Sequence, residues 1–156
     1  MKPQDVRSET QFSVFLVNKP GILARVCQCL ANEKVNIVAL SMMDSSEHGV
    51  LRMVVEDPPR ARQALAGLDV PSTETQVLVA LLPNRPGALA DVVERLSRAH
   101  INVNYAYCTA GARGGKSLGV FRVSDLNKAM AVLSEPRPRR RPPLAPVRAE
   151  PRPRRK

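Results

Sequence analysis

The chain has 156 residues, three cysteines and a formal charge of +10, but nine of its 24 Lys/Arg and one of its 14 Asp/Glu residues fall in 136–156, leaving the rest at only +2. The basic balance therefore describes a tail, and aromatics at 3% are too few for a base-stacking nucleic-acid surface. Three cysteines make no disulfide framework, and no run of ~18 apolar residues could span a bilayer, so a soluble, cytoplasmic protein is expected.

Residues 1–10 are polar and read as a lead-in. Residues 11–17 form a short β-rich run that stops at Asn18, and so a strand is predicted. Pro20 stands where a helix begins, with its backbone angle preset and no amide hydrogen to satisfy. Ile22, Leu23, Val26, Leu30 and Ala31 then recur at helical spacing. Residues 35–42 return to strand composition, 44–49 form a turn, and 50–55 are a second strand of that hairpin. Pro58 and Pro59 open a second helix that Gly67 and Pro71 end, and a strand follows somewhere in 70–77.

The order then repeats: strand 76–82, helix 86–99, strand 101–109, hairpin loop 110–116, strand 118–123, and helix 125–133 capped by Ser124 or Asp125. Strand-to-helix crossovers with a hairpin between them imply an α+β sandwich, helices on one face of an antiparallel sheet. The units are residues 11–75 and 76–135. After Glu135 the chain becomes an Arg/Pro-rich stretch, 136–156, that cannot supply a central strand or build a core. The second unit therefore either lacks its closing strand or takes it from another segment, and the tail is read as disordered.

Two stretches, 18–37 and 84–103, are near copies at a constant offset of 66 residues. Asn18-Lys19-Pro20-Gly21-Ile22-Leu23 aligns with Asn84-Arg85-Pro86-Gly87-Ala88-Leu89, and Asn36 aligns with Asn102. Pro-Gly fixes the entry angle of the helix and removes the side chain that would screen its first amides. Those amides and the helix dipole favour a carboxylate near Gly21–Leu23 and Gly87–Leu89. Asn18 and Asn84 each offer a carboxamide carbonyl to an ammonium group. Asn36 and Asn102 open the following strand, flanked by Val and Ile, and so point away from the side those neighbours take. Capping and ordinary turn chemistry would also place Asn, Pro and Gly here. Capping alone would accept Ser, Thr or Asp as readily, yet Asn recurs at all four positions.

Both units resemble the ACT domain, the small regulatory ligand-binding module of amino-acid metabolism. The resemblance rests on the Asn-x-Pro-Gly loop, the later Asn at a strand start, and the strand–helix–strand–strand–helix order. It implies two ferredoxin-like βαββαβ units side by side, acting as a built-in dimer with amino-acid sites at their interface, and a set of ligand residues: Asn18, Pro20, Gly21, Ile22, Leu23 and Asn36, with Asn84, Pro86, Gly87, Ala88, Leu89 and Asn102. Serine-binding members carry a His two residues before the loop Asn. Leu16 and Leu82 stand there, which implies a less polar ligand or none.

The segment 110–117 fits a relaxed phosphate-loop pattern, but a strand rather than a helix is predicted after Gly115-Lys116-Ser117. His48 and His100 have no second ligand at metal spacing, and no nucleophile–base–acid set stands out. A non-enzyme without metal or cofactor is expected: a regulatory protein that binds a free amino acid and forms a homo-oligomer. The alternatives are a ligand-free scaffold serving an amino-acid biosynthetic enzyme and, further back, nucleic-acid binding through the tail.

Overall fold

The computed structural model describes residues 5–43, 48–109 and 115–135. The tip of the first hairpin, most of the second hairpin loop and the Arg/Pro tail lie outside the described residues. The elements are β1 (Val6–Val17), α1 (Ile22–Asn32), β2 (Ile37–Met43), β3 (His48–Val55) and α2 (Pro58–Ala66), then β4 (Ser72–Pro83), α3 (Ala88–Arg98), β5 (Val103–Cys108), β6 (Lys116–Val123) and α4 (Leu126–Ser134). All six strands form one antiparallel sheet in the order β2-β3-β1-β4-β6-β5.

Two expectations change here. Residues 6–10 are not a lead-in but the first half of β1, and 70–83 holds one strand rather than two. β1 and β4 are each 12 residues long and pair with each other from Val6↔Ala80 to Val14↔Ser72. The register centres on Thr10↔Gln76, which are themselves 66 residues apart. A pseudo-twofold axis therefore passes through this pair, where Gln76 Nε2 donates to Thr10 Oγ1 at 2.9 Å and Gln76 Oε1 accepts from Ser8 Oγ at 3.0 Å. Each long strand serves both units: the start of β4 closes the first, and the start of β1 closes the second. The missing closing strand is thus supplied by the chain's other end.

Alternation along the strands explains the packing. Phe12, Val14, Leu16, Leu51 and Met53 point to one face and bury against Val26 and Leu30 of α1 and Ala61 and Leu65 of α2. Val6, Leu78, Ala80, Leu82 and Phe121 do the same under Val92 and Leu96 of α3 and Ala129 and Leu133 of α4. Val6 sits in the second core, as its role in closing that unit requires. α1 and α3 end alike, without glycine. Lys34 (φ 58°) and His100 (φ 55°) take the left-handed turn. Val35 N–H donates to Leu30 C=O and Ile101 N–H to Leu96 C=O, each at 2.9 Å, so both helices close in the same hydrogen-bonded motif.

The other face of the sheet is concave. Bulges between Ile37 and Ala39 and between Val103 and Tyr105 switch the faces of β2 and β5. Beyond them Ala39, Val54, Val77, Val79, Leu118 and Val120 form a third cluster inside the curve. The curl is strong enough for the two edge strands, β2 and β5, to approach each other along a seam. Gln11, fully buried in central β1, reaches β5 across the interior: its Nε2 donates to Tyr105 Oη at 2.7 Å and its Oε1 accepts from Tyr107 Oη at 3.1 Å. Burial pushes the Tyr107 phenol above its ordinary pKa.

Candidate functional site

The Pro-Gly loops match bond for bond. Lys19 N–H donates to Val17 C=O and Arg85 N–H to Pro83 C=O, each at 2.8 Å, and Arg25 N–H to Gly21 C=O and Asp91 N–H to Gly87 C=O, each at 2.9 Å. Gly21 (φ 88°) and Gly87 (φ 83°) hold the left-handed region just before the helix. A Cβ at either glycine would meet nothing within 4 Å, so the loop needs glycine for its backbone angle, and the space above it is open.

The four helices fall into two kinds. Asp57 caps α2 by accepting from Arg60 N–H at 3.1 Å, and Asp125 caps α4 by accepting from Lys128 N–H at 2.9 Å. The N-cap positions of α1 and α3 are glycines and make no side-chain cap. The helices that follow the Pro-Gly loops thus carry no internal carboxylate at the cap, and their first amides turn back to the loop backbone, Ile22 N–H to Lys19 C=O at 3.4 Å and Ala88 N–H to Arg85 C=O at 3.2 Å.

The loops differ in charge. Arg25 occupies in α1 the position of Asp91 in α3. Asp91 lies 3.4 Å from Arg85, forming an ion pair inside the second loop, whereas the first loop carries Lys19 and Arg25.

Asn18 and Asn84 are exposed beside their glycines. Asn36 and Asn102 are exposed where β2 and β5 begin. Asn36 Nδ2 donates to Glu56 Oε1 at 3.0 Å, and Asn102 N–H donates to Ser124 Oγ at 3.1 Å. The register separates the two carboxamides of one unit. Asn18 follows Val17, the partner of His48, while Asn36 lies beside Glu56, past the far end of β3. Eight residues of β3, roughly 25 Å of strand, lie between those levels. Asn84 and Asn102 are divided in the same way by β6. Between units the directions differ: β5 runs opposite to β1 and β2, so Asn102 starts toward the end of the roll where β1 delivers Asn18. Asn36 likewise starts toward the end where β4 delivers Asn84.

Of the remaining loop residues, Pro20 and Pro86 are exposed, Ile22 and Leu23 half-buried and Ala88 buried. Leu89 is 45% exposed. Lys116 and Ser117 lie in β6, so no helix follows Gly115 and the phosphate-loop geometry is not met.

A family model described as the ACT domain pair matches residues 8–137. The chain belongs to that family. This ACT domain pair is also similar to a protein from Bacteroides thetaiotaomicron at 35% identity, covering 83% of this chain and 88% of that one, with a TM-score of 0.76. It shares its fold with the ligand-free regulatory subunit of aspartate kinase from Thermus thermophilus, at 13% identity, 82% and 93% coverage and a TM-score of 0.61. The corresponding Thermus flavus subunit is 15% identical over 83% and 94%, with a TM-score of 0.57. No curated protein matches the chain in sequence. The tandem ferredoxin-like fold and a regulatory class follow from family membership. Among the described residues no helix is long and apolar enough to cross a membrane.

Proposed function

We propose that this ACT domain pair is a cytoplasmic, non-catalytic sensor that binds a free amino acid where its two units meet along the β2/β5 seam. The observation that carries this reading is the contrast between the capped helices α2 and α4 and the uncapped, glycine-led helices α1 and α3. A ligand carboxylate would take the amides at Gly21–Leu23 or Gly87–Leu89, with Pro20 or Pro86 fixing the bend. Its ammonium would take a carboxamide, Asn18 with Asn102 at one end and Asn84 with Asn36 at the other. Arg25 favours the anion at the first loop, and the Arg85–Asp91 pair competes with it at the second. Leu16 and Leu82, both buried, offer no polar group to a ligand side chain. Exposed Leu40, Met42, Leu89 and Val93 supply apolar surface for a homodimer, and the output is carried to an enzyme of amino-acid biosynthesis.

Calorimetry against the twenty amino acids tests this. One or a few should bind in the micromolar range, and Asn18→Ala with Asn84→Ala should abolish the heat. A double-mutant cycle should show coupling between Asn18 and Asn102 and simple additivity between Asn18 and Asn36. Heat that survives the double substitution would refute the carboxamide assignment. A protein that binds no amino acid yet co-purifies with a biosynthetic enzyme would support the alternative of a ligand-free regulatory scaffold, for which the self-paired second loop is the favouring feature.

A further inference from the structure

The two ends of the rolled sheet are related by the repeat, yet they have diverged. At one end Val79, Val120 and Tyr107 form one cross-strand row facing the interior, with Val79 1% and Val120 0% exposed, so that end is plugged. At the other end the row at the same register is Ser13, Arg52 and Ser41. These three form one cross-strand row, since Ser13 pairs with Arg52 and Arg52 with Ser41. The next row outward is Phe15–Val50–Met43, again directly paired, and its outer members are 41% and 53% exposed. The Arg52 guanidinium lies 4.4 Å over the Tyr105 ring and 2.7 Å from Met43 Sδ. Among the described residues Arg52 makes no ion pair with a carboxylate.

We infer that this open mouth is a second small-molecule site, on the face opposite the helices, for an organic carboxylate with an apolar body. A planar guanidinium at the base matches a carboxylate in two hydrogen bonds. Stacking on Tyr105 holds the fork in place, and the Phe15–Val50–Met43 row takes the apolar part of the ligand. The charge chooses among occupants. The chain's own tail carries nine Lys/Arg and is repelled by Arg52, and a second copy seated mouth to mouth would set Arg52 against its own image. A small anion meets neither obstacle. The inference is independent of the Pro-Gly loops, which lie at helix starts on the outer side of the sheet.

The test is an NMR titration of the full chain with 3-phenylpropionate and, separately, with the neutral 3-phenylpropanamide. The acid should give saturable shifts at Phe15, Val50 and Arg52, and the amide should bind at least tenfold more weakly. Arg52→Gln should weaken the acid by tenfold or more, with Arg52→Lys between it and the native protein. Equal affinity for acid and amide would overturn the proposal without recourse to any variant. So would shifts confined to Gly21–Leu23 and Gly87–Leu89, or no saturation. Self-association that Phe15→Ser abolishes, in place of acid binding, would assign the mouth to a second copy and overturn it as well.

Discussion

Four backbone positions carry much of the local design, and they divide by what occupies them. Gly21 and Gly87 hold positive φ with open space where a side chain would stand. Gly21→Ala should therefore cost about 1 kcal/mol through backbone strain alone, readable as a lower urea midpoint at unchanged slope. Lys34 and His100 hold the same region without being glycine. Lys34→Gly and His100→Gly should each raise stability by up to about 1 kcal/mol, measured the same way. That placement gives His100 a structural reason for its position, at the turn that closes α3. The buried Gln11–Tyr107 bond is the third residue-scale test. Tyr107→Phe leaves the Gln11 carbonyl buried with one donor fewer and should cost ~1–3 kcal/mol near neutral pH. Because burial raises the Tyr107 pKa in the folded state, the native phenol keeps its proton while the unfolded one ionises near pH ~10. Its contribution to stability is thus complete below that pH and declines as pH rises through the folded value. The gap between native protein and Tyr107→Phe should narrow in alkaline denaturation curves; a gap that widened would contradict the sign.

Strands, not helices, decide how the two units depend on each other. All four helices were legible because proline or aspartate marks their starts and apolar residues recur at three and four. The hairpins were legible by their β-rich runs. Residues 6–10 were not, since Val6 alone among them is a buried apolar residue and their partner lies in β4, far along the chain. β4 reads as two strands in the sequence because each unit is expected to own its edges. The motif residues of the candidate site stood out through duplication. The spacing of 18 between Asn18 and Asn36, however, says nothing about which end of the sheet each reaches, and register alone separates them. The meeting of Arg52 and Tyr105 is not legible in the sequence because it depends on the curl that the bulges and Gln11 impose. Element-level dependence is testable: Val6→Asp places a charge in the core beneath α4. Hydrogen exchange should then accelerate first in β6, α3 and α4, which belong to the second unit, although residue 6 is at the start of the chain. Acceleration confined to α1 and β2 would contradict the strand exchange.

As a whole the molecule is one sheet with two helix-covered cores and a third cluster inside its curve, joined through β1 and β4 rather than by a linker. Chains of residues 11–75 and 76–135 made separately should fail to unfold cooperatively on their own, while the full chain should show a single denaturant transition by both fluorescence of its tyrosines and far-UV circular dichroism. Two well-separated transitions would mean the units are autonomous. The regulatory reading rests on the amides of the two uncapped helices being held ready for a carboxylate. The most direct measurement is a ¹H–¹⁵N titration of the full chain with each amino acid, read at Gly21, Ile22, Leu23, Gly87, Ala88 and Leu89. The account predicts saturable shifts at the first loop, weaker ones at the second, and their loss in Asn18→Ala/Asn84→Ala. Saturable shifts elsewhere with both loops silent would contradict it.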